Sequence, residues 1–237
     1  MCNAPFHQFC FSRRAMLVGS AAMVMTPWLH RVALTEAAAP QNAISPDAAL
    51  KRLMDGNARY AANRPSIRDF SAGRAARAKA QYPIVAVLSC ADSRVAPEFA
   101  FDQGPGDVFV VRVAGNFAND DGLASIEYGV HVLKAPLVMV LGHTNCGAVD
   151  AAIKVLKDNA QLPGHLPGLV ASIKPAVEAA KAKGEANLLD NAIIENVRLN
   201  AKQLETTQPV LAAAARDGKI KVVGAVYDLA SGKIKLI

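Results

Sequence analysis

The chain has 237 residues, 52% of them hydrophobic and 19% charged, with a net charge of +6. That suffices for one domain with a full core plus an extra segment, and it excludes a largely disordered chain. Arg13, Arg14, Arg31 and Glu36 supply +2 of the charge, leaving +4 on the remainder. The later basic residues (Arg74, Arg77, Lys79, Lys181, Lys183) are scattered and not interleaved with aromatics, which argues against a nucleic-acid partner.

Residues 12–17 read Ser-Arg-Arg-Ala-Met-Leu, an apolar stretch runs from Ala15 to Leu29, and a small-residue segment ends at Ala37-Ala38-Ala39. A charged start, an apolar middle and a small-residue exit describe a secretory signal peptide. The paired arginines after Ser12 resemble a twin-arginine export signal. Residues 1–39 are therefore expected to be a leader, and the protein to be exported, to the periplasm. The apolar run is short for a membrane span and Pro27 interrupts it, so no stable span is expected after signal removal.

After a linker at 40–45, Ser45, Pro46 and Asp47 mark a helix start. Leu50, Leu53, Met54 and Tyr60 make that helix amphipathic through about Ala62. A short Ala/Arg-rich helix is expected at 71–80, and strands at 83–89 and 107–113. A helix at 121–133 carries Ile126, Val130 and Leu133 on one face. A third strand covers 136–142, a helix 146–158, and a Pro/Gly loop 161–168. Helices at 169–183, 188–206 and 209–216 lead to a strand at 219–227 and a last edge strand at 233–237. The strands are nearly continuous in apolar residues, the mark of a sheet covered on both faces. Strands alternating with helices imply parallel βαβ units. The expectation is a single α/β domain over 45–237, with a mostly parallel central sheet flanked by helices. An N-terminal helical arm and a C-terminal edge strand complete it.

Two segments carry the chemistry: Cys90-Ala91-Asp92-Ser93-Arg94 and His143-Thr144-Asn145-Cys146-Gly147. Each follows an apolar strand, and parallel strands bring such ends to one sheet edge. Cys, His and Cys form a catalytic zinc set with a fourth position left for water. Cys146 opens a helix, whose positive end favours the thiolate. Two other uses stay open: a Cys90–Cys146 disulfide in an exported protein, and buried core roles for each residue taken singly. Asp92 and Arg94 are either a surface ion pair of little worth or a carboxylate held beside a metal.

Cys90-Ala91-Asp92-Ser93-Arg94-Val95 with His143-Thr144-Asn145-Cys146-Gly147 resembles the β-class carbonic anhydrases. Gly56 to Tyr60, Gly106 to Arg112, Ala114 to Asn116, Ser125 to Tyr128, and Gly224 to Asp228 with Gly232 extend the likeness from about residue 45 to the end. Val113 departs from it, standing where the family commonly has Asn. The resemblance implies one Zn2+ per subunit on Cys90, His143 and Cys146, with Asp92 and Arg94 as a catalytic dyad and Asp92 a possible fourth ligand. It implies reversible hydration of carbon dioxide to bicarbonate and a proton, by zinc-bound hydroxide that Asp92 orients, with activity rising with pH. Ser93 supports the loop. Val95, Phe101, Phe117 and Tyr128 are expected either to line an apolar substrate pocket or to be plain core, and Gly147 to offer an N–H there. A homodimer or homotetramer is implied, with the helix at 46–62 embracing the partner. Three other functions remain: a zinc hydrolase for carbonyl sulfide or carbon disulfide, a non-catalytic zinc or bicarbonate binder, and a thiol redox protein using the two cysteines.

Overall fold

The computed structural model describes residues 40–184 and 186–237; the expected leader lies outside the described residues. In chain order the elements are α1 (Pro46–Ala61), α2 (Arg74–Arg77), β1 (Val85–Ser89), α3 (Pro97–Ala100), β2 (Val108–Arg112), α4 (Asp120–His131) and β3 (Leu137–His143). Then follow α5 (Gly147–Asp158), α6 (Leu166–Lys181), α7 (Leu188–Thr206), α8 (Val210–Arg216), β4 (Lys221–Tyr227) and β5 (Ile234–Leu236). Among the described residues, no helix is long and apolar enough to cross a membrane.

Three segments differ from expectation. The loop at 161–168 ends early, because Pro167 sits in the first turn of α6, where a missing N–H costs nothing. Only four residues of the helix expected at 71–80 are helical. The single-turn α3 is too short to show a helical period, though Pro97 marks its start.

The five strands order as β2-β1-β3-β4-β5, with β1 to β4 parallel and β5 antiparallel to β4. Alternation along the strands explains their continuous apolar character. Val85, Val87, Leu137, Met139 and Leu141 face a core that includes Ala49 and Leu53 of α1. Ala86, Leu88, Val138 and Val140 face Ile126 and Val130 of α4, Val197 and Leu204 of α7 and Leu211 of α8. The chain leaves β1 to one side for β2 and returns on the other side for β3. That makes the carboxyl ends of β1 and β3 a topological switch point, where α/β sheets open a crevice.

The expected N-terminal arm is a helix docked on its own chain's sheet. Ser45 caps it by accepting the Ala48 N–H at 3.1 Å. Gly56 allows the close approach, since a Cβ there would lie 1.8 Å from the Phe101 carbonyl oxygen. The buried Asn57 donates to the carbonyls of Ala100 (2.9 Å) and Gly232 (2.8 Å) and accepts the Ile234 N–H at 2.8 Å. One side chain thus ties α1 to α3 and to β5.

Asp102 fastens the segment between α1 and α2. Its buried carboxylate accepts from Arg59 Nε at 2.6 Å, from Arg68, and from both the N–H and the hydroxyl of Ser66. Burial works to raise this carboxyl. Arg68, Arg59 and Ser66 together outweigh it and hold the group well below the usual carboxylate range. Both arginines keep partial access to water, so Asp102→Ala should cost about 2–3 kcal/mol, at or below the range for breaking a buried pair. A depressed folded-state pKa stabilises above the unfolded value, and that stability is lost as pH falls below about 4. Urea titrations at pH 7 and pH 3 check this: the gap between wild type and Asp102→Ala should shrink at the lower pH.

Candidate metal centre and active site

β1 and β3 deliver the first two candidate metal-binding side chains to adjacent strand ends. Ser89 pairs with Leu141 across them, so Cys90 follows β1 beside Gly142 and His143. Cys146 is the N-cap of α5, three residues beyond His143. One sulfur from each cysteine and one ring nitrogen of His143 all lie within 4.8 Å of one another, and all three residues are buried. Both cysteines are free thiols, which sets aside the disulfide expectation in this structure.

The histidine is prepared for a ligand. Its Nδ1 lies 2.9 Å from the Thr144 carbonyl, which fixes Nδ1 as the protonated nitrogen. Nε2 is buried and has no hydrogen-bond partner. A buried, unpaired lone pair is costly without a use, and here it faces the two sulfurs. The neighbouring Cys146 lowers the Cys90 thiol below its ordinary range, against the burial that would raise it, with His143 and the Gly115 N–H adding to the lowering. The Cys146 thiol is pushed up by Cys90 and by its own burial. Two buried sulfurs beside an open imidazole nitrogen are a soft donor set that fits zinc.

Asp92 stands next to this set, its Oδ2 3.7 Å from His143 Nε2. Arg94 clamps it: Oδ1 accepts from the Arg94 N–H and Nε, both at 2.9 Å, and Oδ2 accepts from Nη2 at 2.7 Å. That side-chain hydrogen bonding holds Asp92 well below the usual carboxylate range, against its partial burial. Arg94 Nη2 also reaches the Asn145 carbonyl at 3.4 Å, linking the two motif loops.

Arg112, at the end of β2, is a participant that motif reading quoted without giving it a role. It donates to the carbonyls of Cys90 (3.0 Å), Asp92 (2.7 Å) and Val95 (2.7 Å), fixing the whole Cys90–Val95 loop. Its signal in the sequence is a lone charge closing an otherwise apolar strand.

The remaining expected site residues separate. Phe117 packs in the core cluster that holds Cys90 and Cys146. Gly147 is exposed, with no atom within 4 Å of where a Cβ would lie, so space opens at the N-terminus of α5. Ser93 is exposed in the loop. Val95 and Phe101 are not brought to the cluster; both are fully buried in the core beneath α1. Tyr128 is 48% exposed, its ring 6.2 Å from that of Phe109. It lies two residues from Ile126, off the buried stripe of α4.

Comparison with known proteins places this arrangement in context. The carbonic anhydrase family model matches residues 85–234. A carbonic anhydrase of Mycolicibacterium smegmatis is 40% identical over 195 residues, covering 81% of this chain and 93% of that protein. Carbonic anhydrase 2 of Mycobacterium tuberculosis is 38% identical over 193 residues, with the same coverage of each. A Coccomyxa β-carbonic anhydrase solved with acetazolamide matches with a TM-score of 0.63 at 29% identity, over 70% of this chain and 77% of that one. A tetrameric β-carbonic anhydrase of Sordaria macrospora gives 0.62 at 26%, over 70% and 86%.

Proposed function

The chain belongs to the β-class carbonic anhydrase family, and on that premise we propose that Cys90, His143 and Cys146 hold one zinc ion while Asp92 and Arg94 govern carbon dioxide hydration. The observation that carries this reading is the convergence of three buried donor atoms within 4.8 Å, with the Asp92 carboxylate poised beside them. When bound, the ion supplies a water acidified enough to act as a nucleophile near neutral pH.

The protein's own groups do the rest. Asp92 is ionised throughout the neutral range, so it accepts hydrogen bonds and does not donate. An acceptor fixed next to the nucleophile turns the nucleophile's hydrogen toward itself and leaves a lone pair free for the substrate. Arg94 occupies both carboxylate oxygens and so keeps Asp92 off the three donor atoms. Arg112 prevents the loop from shifting by gripping three of its carbonyls. Phe117 gives the site an apolar wall suited to a nonpolar gas, and the open space at Gly147 lies at a positive helix end, where bicarbonate oxygens gain from backbone N–H groups.

We also propose a homodimer or homotetramer, in line with the tetrameric fungal relatives. Ile67, Phe70 and Phe99 are exposed apolar side chains that a second copy would cover.

Stopped-flow hydration of carbon dioxide by the zinc-loaded protein, from pH 6.5 to 9, tests the reading. A rate that depends on zinc supports it. A zinc-replete protein inert toward carbon dioxide but active on carbonyl sulfide would overturn the substrate, and sedimentation at the mass of one chain would overturn the assembly.

A further inference from the structure

Helix α7 reaches across the sheet edge to the loop after β2. Asn196, buried, donates Nδ2 to the Gly115 carbonyl at 2.7 Å. Asn200, one turn further on, donates to the Asn196 carbonyl (2.8 Å) and to its Oδ1 (3.2 Å), and accepts the Ala118 N–H at 2.8 Å. With Oδ1 of Asn196 taken by Asn200, the amide has one orientation, and its N–H faces Gly115.

The grip falls on a turn. Asn116 N–H donates to the Val113 carbonyl at 2.9 Å, and Gly115 has φ +84° while Ala114 does not have a positive φ. Of the two central residues, a positive φ at the second alone is the mark of a type II turn. Its central peptide, Ala114–Gly115, is rotated by roughly half a circle from that of a type I turn. In the observed form the Gly115 N–H donates to Cys90 Sγ at 3.3 Å. Ile173 of α6 packs on the other side, where a Cβ on Gly115 would lie 2.4 Å from Ile173 Cδ1.

We propose that Asn196 is a positioning residue for the metal centre: by gripping the Gly115 carbonyl it anchors the turn at 113–116, and so holds the Gly115 N–H on Cys90 Sγ. The inference rests on Cys90 being a zinc ligand. An N–H bonded to a ligating thiolate draws charge from the sulfur and orients it, as outer-shell partners of metal ligands do. Without the grip, the sulfur becomes a stronger but less ordered donor.

The test uses the full chain loaded with cobalt, whose sulfur-to-metal absorption reads the charge on the thiolates. Asn196→Leu should move that band to longer wavelength and weaken zinc binding by about 10–100-fold. Gln203→Ala removes only a 3.4 Å bond from the same helix to the Ala118 carbonyl, and should leave both unchanged. A merely loosened fold would not shift the band. An unchanged band and zinc affinity in Asn196→Leu would overturn the inference alone. A wild-type chain that binds cobalt with no sulfur band would overturn the zinc reading and the inference together. Should Asn196→Leu fail to fold, Asn196→Ser, which keeps a small polar side chain but cannot reach the Gly115 carbonyl, decides on the same readouts: a band at longer wavelength supports the inference, and an unchanged band overturns it.

Discussion

Replacing Asp92 with Asn should lower kcat/KM for carbon dioxide hydration by about 10²–10⁴-fold, the range for a positioned proton-transfer group, with zinc content unchanged. The size follows from what Asn lacks. Asp92 accepts three hydrogen bonds from Arg94 through two oxygens, and as a carboxylate it still has lone pairs for the nucleophile. An amide has one oxygen and one NH2 group. With its oxygen toward Arg94, the NH2 opposes the nucleophile; with the oxygen toward the nucleophile, the NH2 opposes a guanidinium. Either way one face of the dyad is mismatched. Arg94→Lys should be milder than Arg94→Ala, because a lysine restores one charge but not the fork. Stopped-flow rates and metal analysis on the same samples separate this from loss of zinc. An Asp92→Asn protein with full zinc and a wild-type rate would remove Asp92 from the chemistry, leaving it as a surface ion pair.

The residues proposed for this chemistry were legible because they sit at strand ends in a sheet whose topology the apolar runs declare. Cys90 and His143 needed only the parallel pairing of β1 and β3 to meet, and Cys146 needed only the short turn to the start of α5. The apolar neighbours were not legible in the same way. Sequence position alone does not say whether Val95, Phe101 and Tyr128 face the core, the surface or the site. The amide chain through Asn196 was hidden for another reason. Its key bond joins residues 81 positions apart, and an Asn within a helix has no period or spacing to announce a tertiary partner. Arg112 lies between these cases: its charge at a strand end is visible, but its three carbonyl partners exist only once the Cys90 loop has folded back over β2.

Cys146→Ser should weaken zinc binding by roughly 10²–10³-fold and lower the hydration rate in step with zinc occupancy. Zinc sites with four protein ligands bind with about 10–16 kcal/mol, so one ligand accounts for about 3–4 kcal/mol, and each 1.4 kcal/mol is tenfold. A serine hydroxyl remains protonated near neutral pH and is a poor substitute for a soft thiolate. The same substitution weighs the redox alternative. In the wild type, two buried free thiols lie close together, so a chelator that strips zinc in air should lead to loss of both free thiols through a Cys90–Cys146 disulfide. Zinc should protect them, because a thiolate engaged by metal is a weaker nucleophile toward an oxidant. A redox protein would instead cycle that disulfide whether or not zinc is supplied, and Cys146→Ser would abolish its activity without changing its metal content. Zinc titration and thiol counting on wild type and variant therefore distinguish the two outcomes: coupled loss of metal and rate assigns Cys146 to the zinc, and loss of rate at full zinc content assigns it to thiol chemistry.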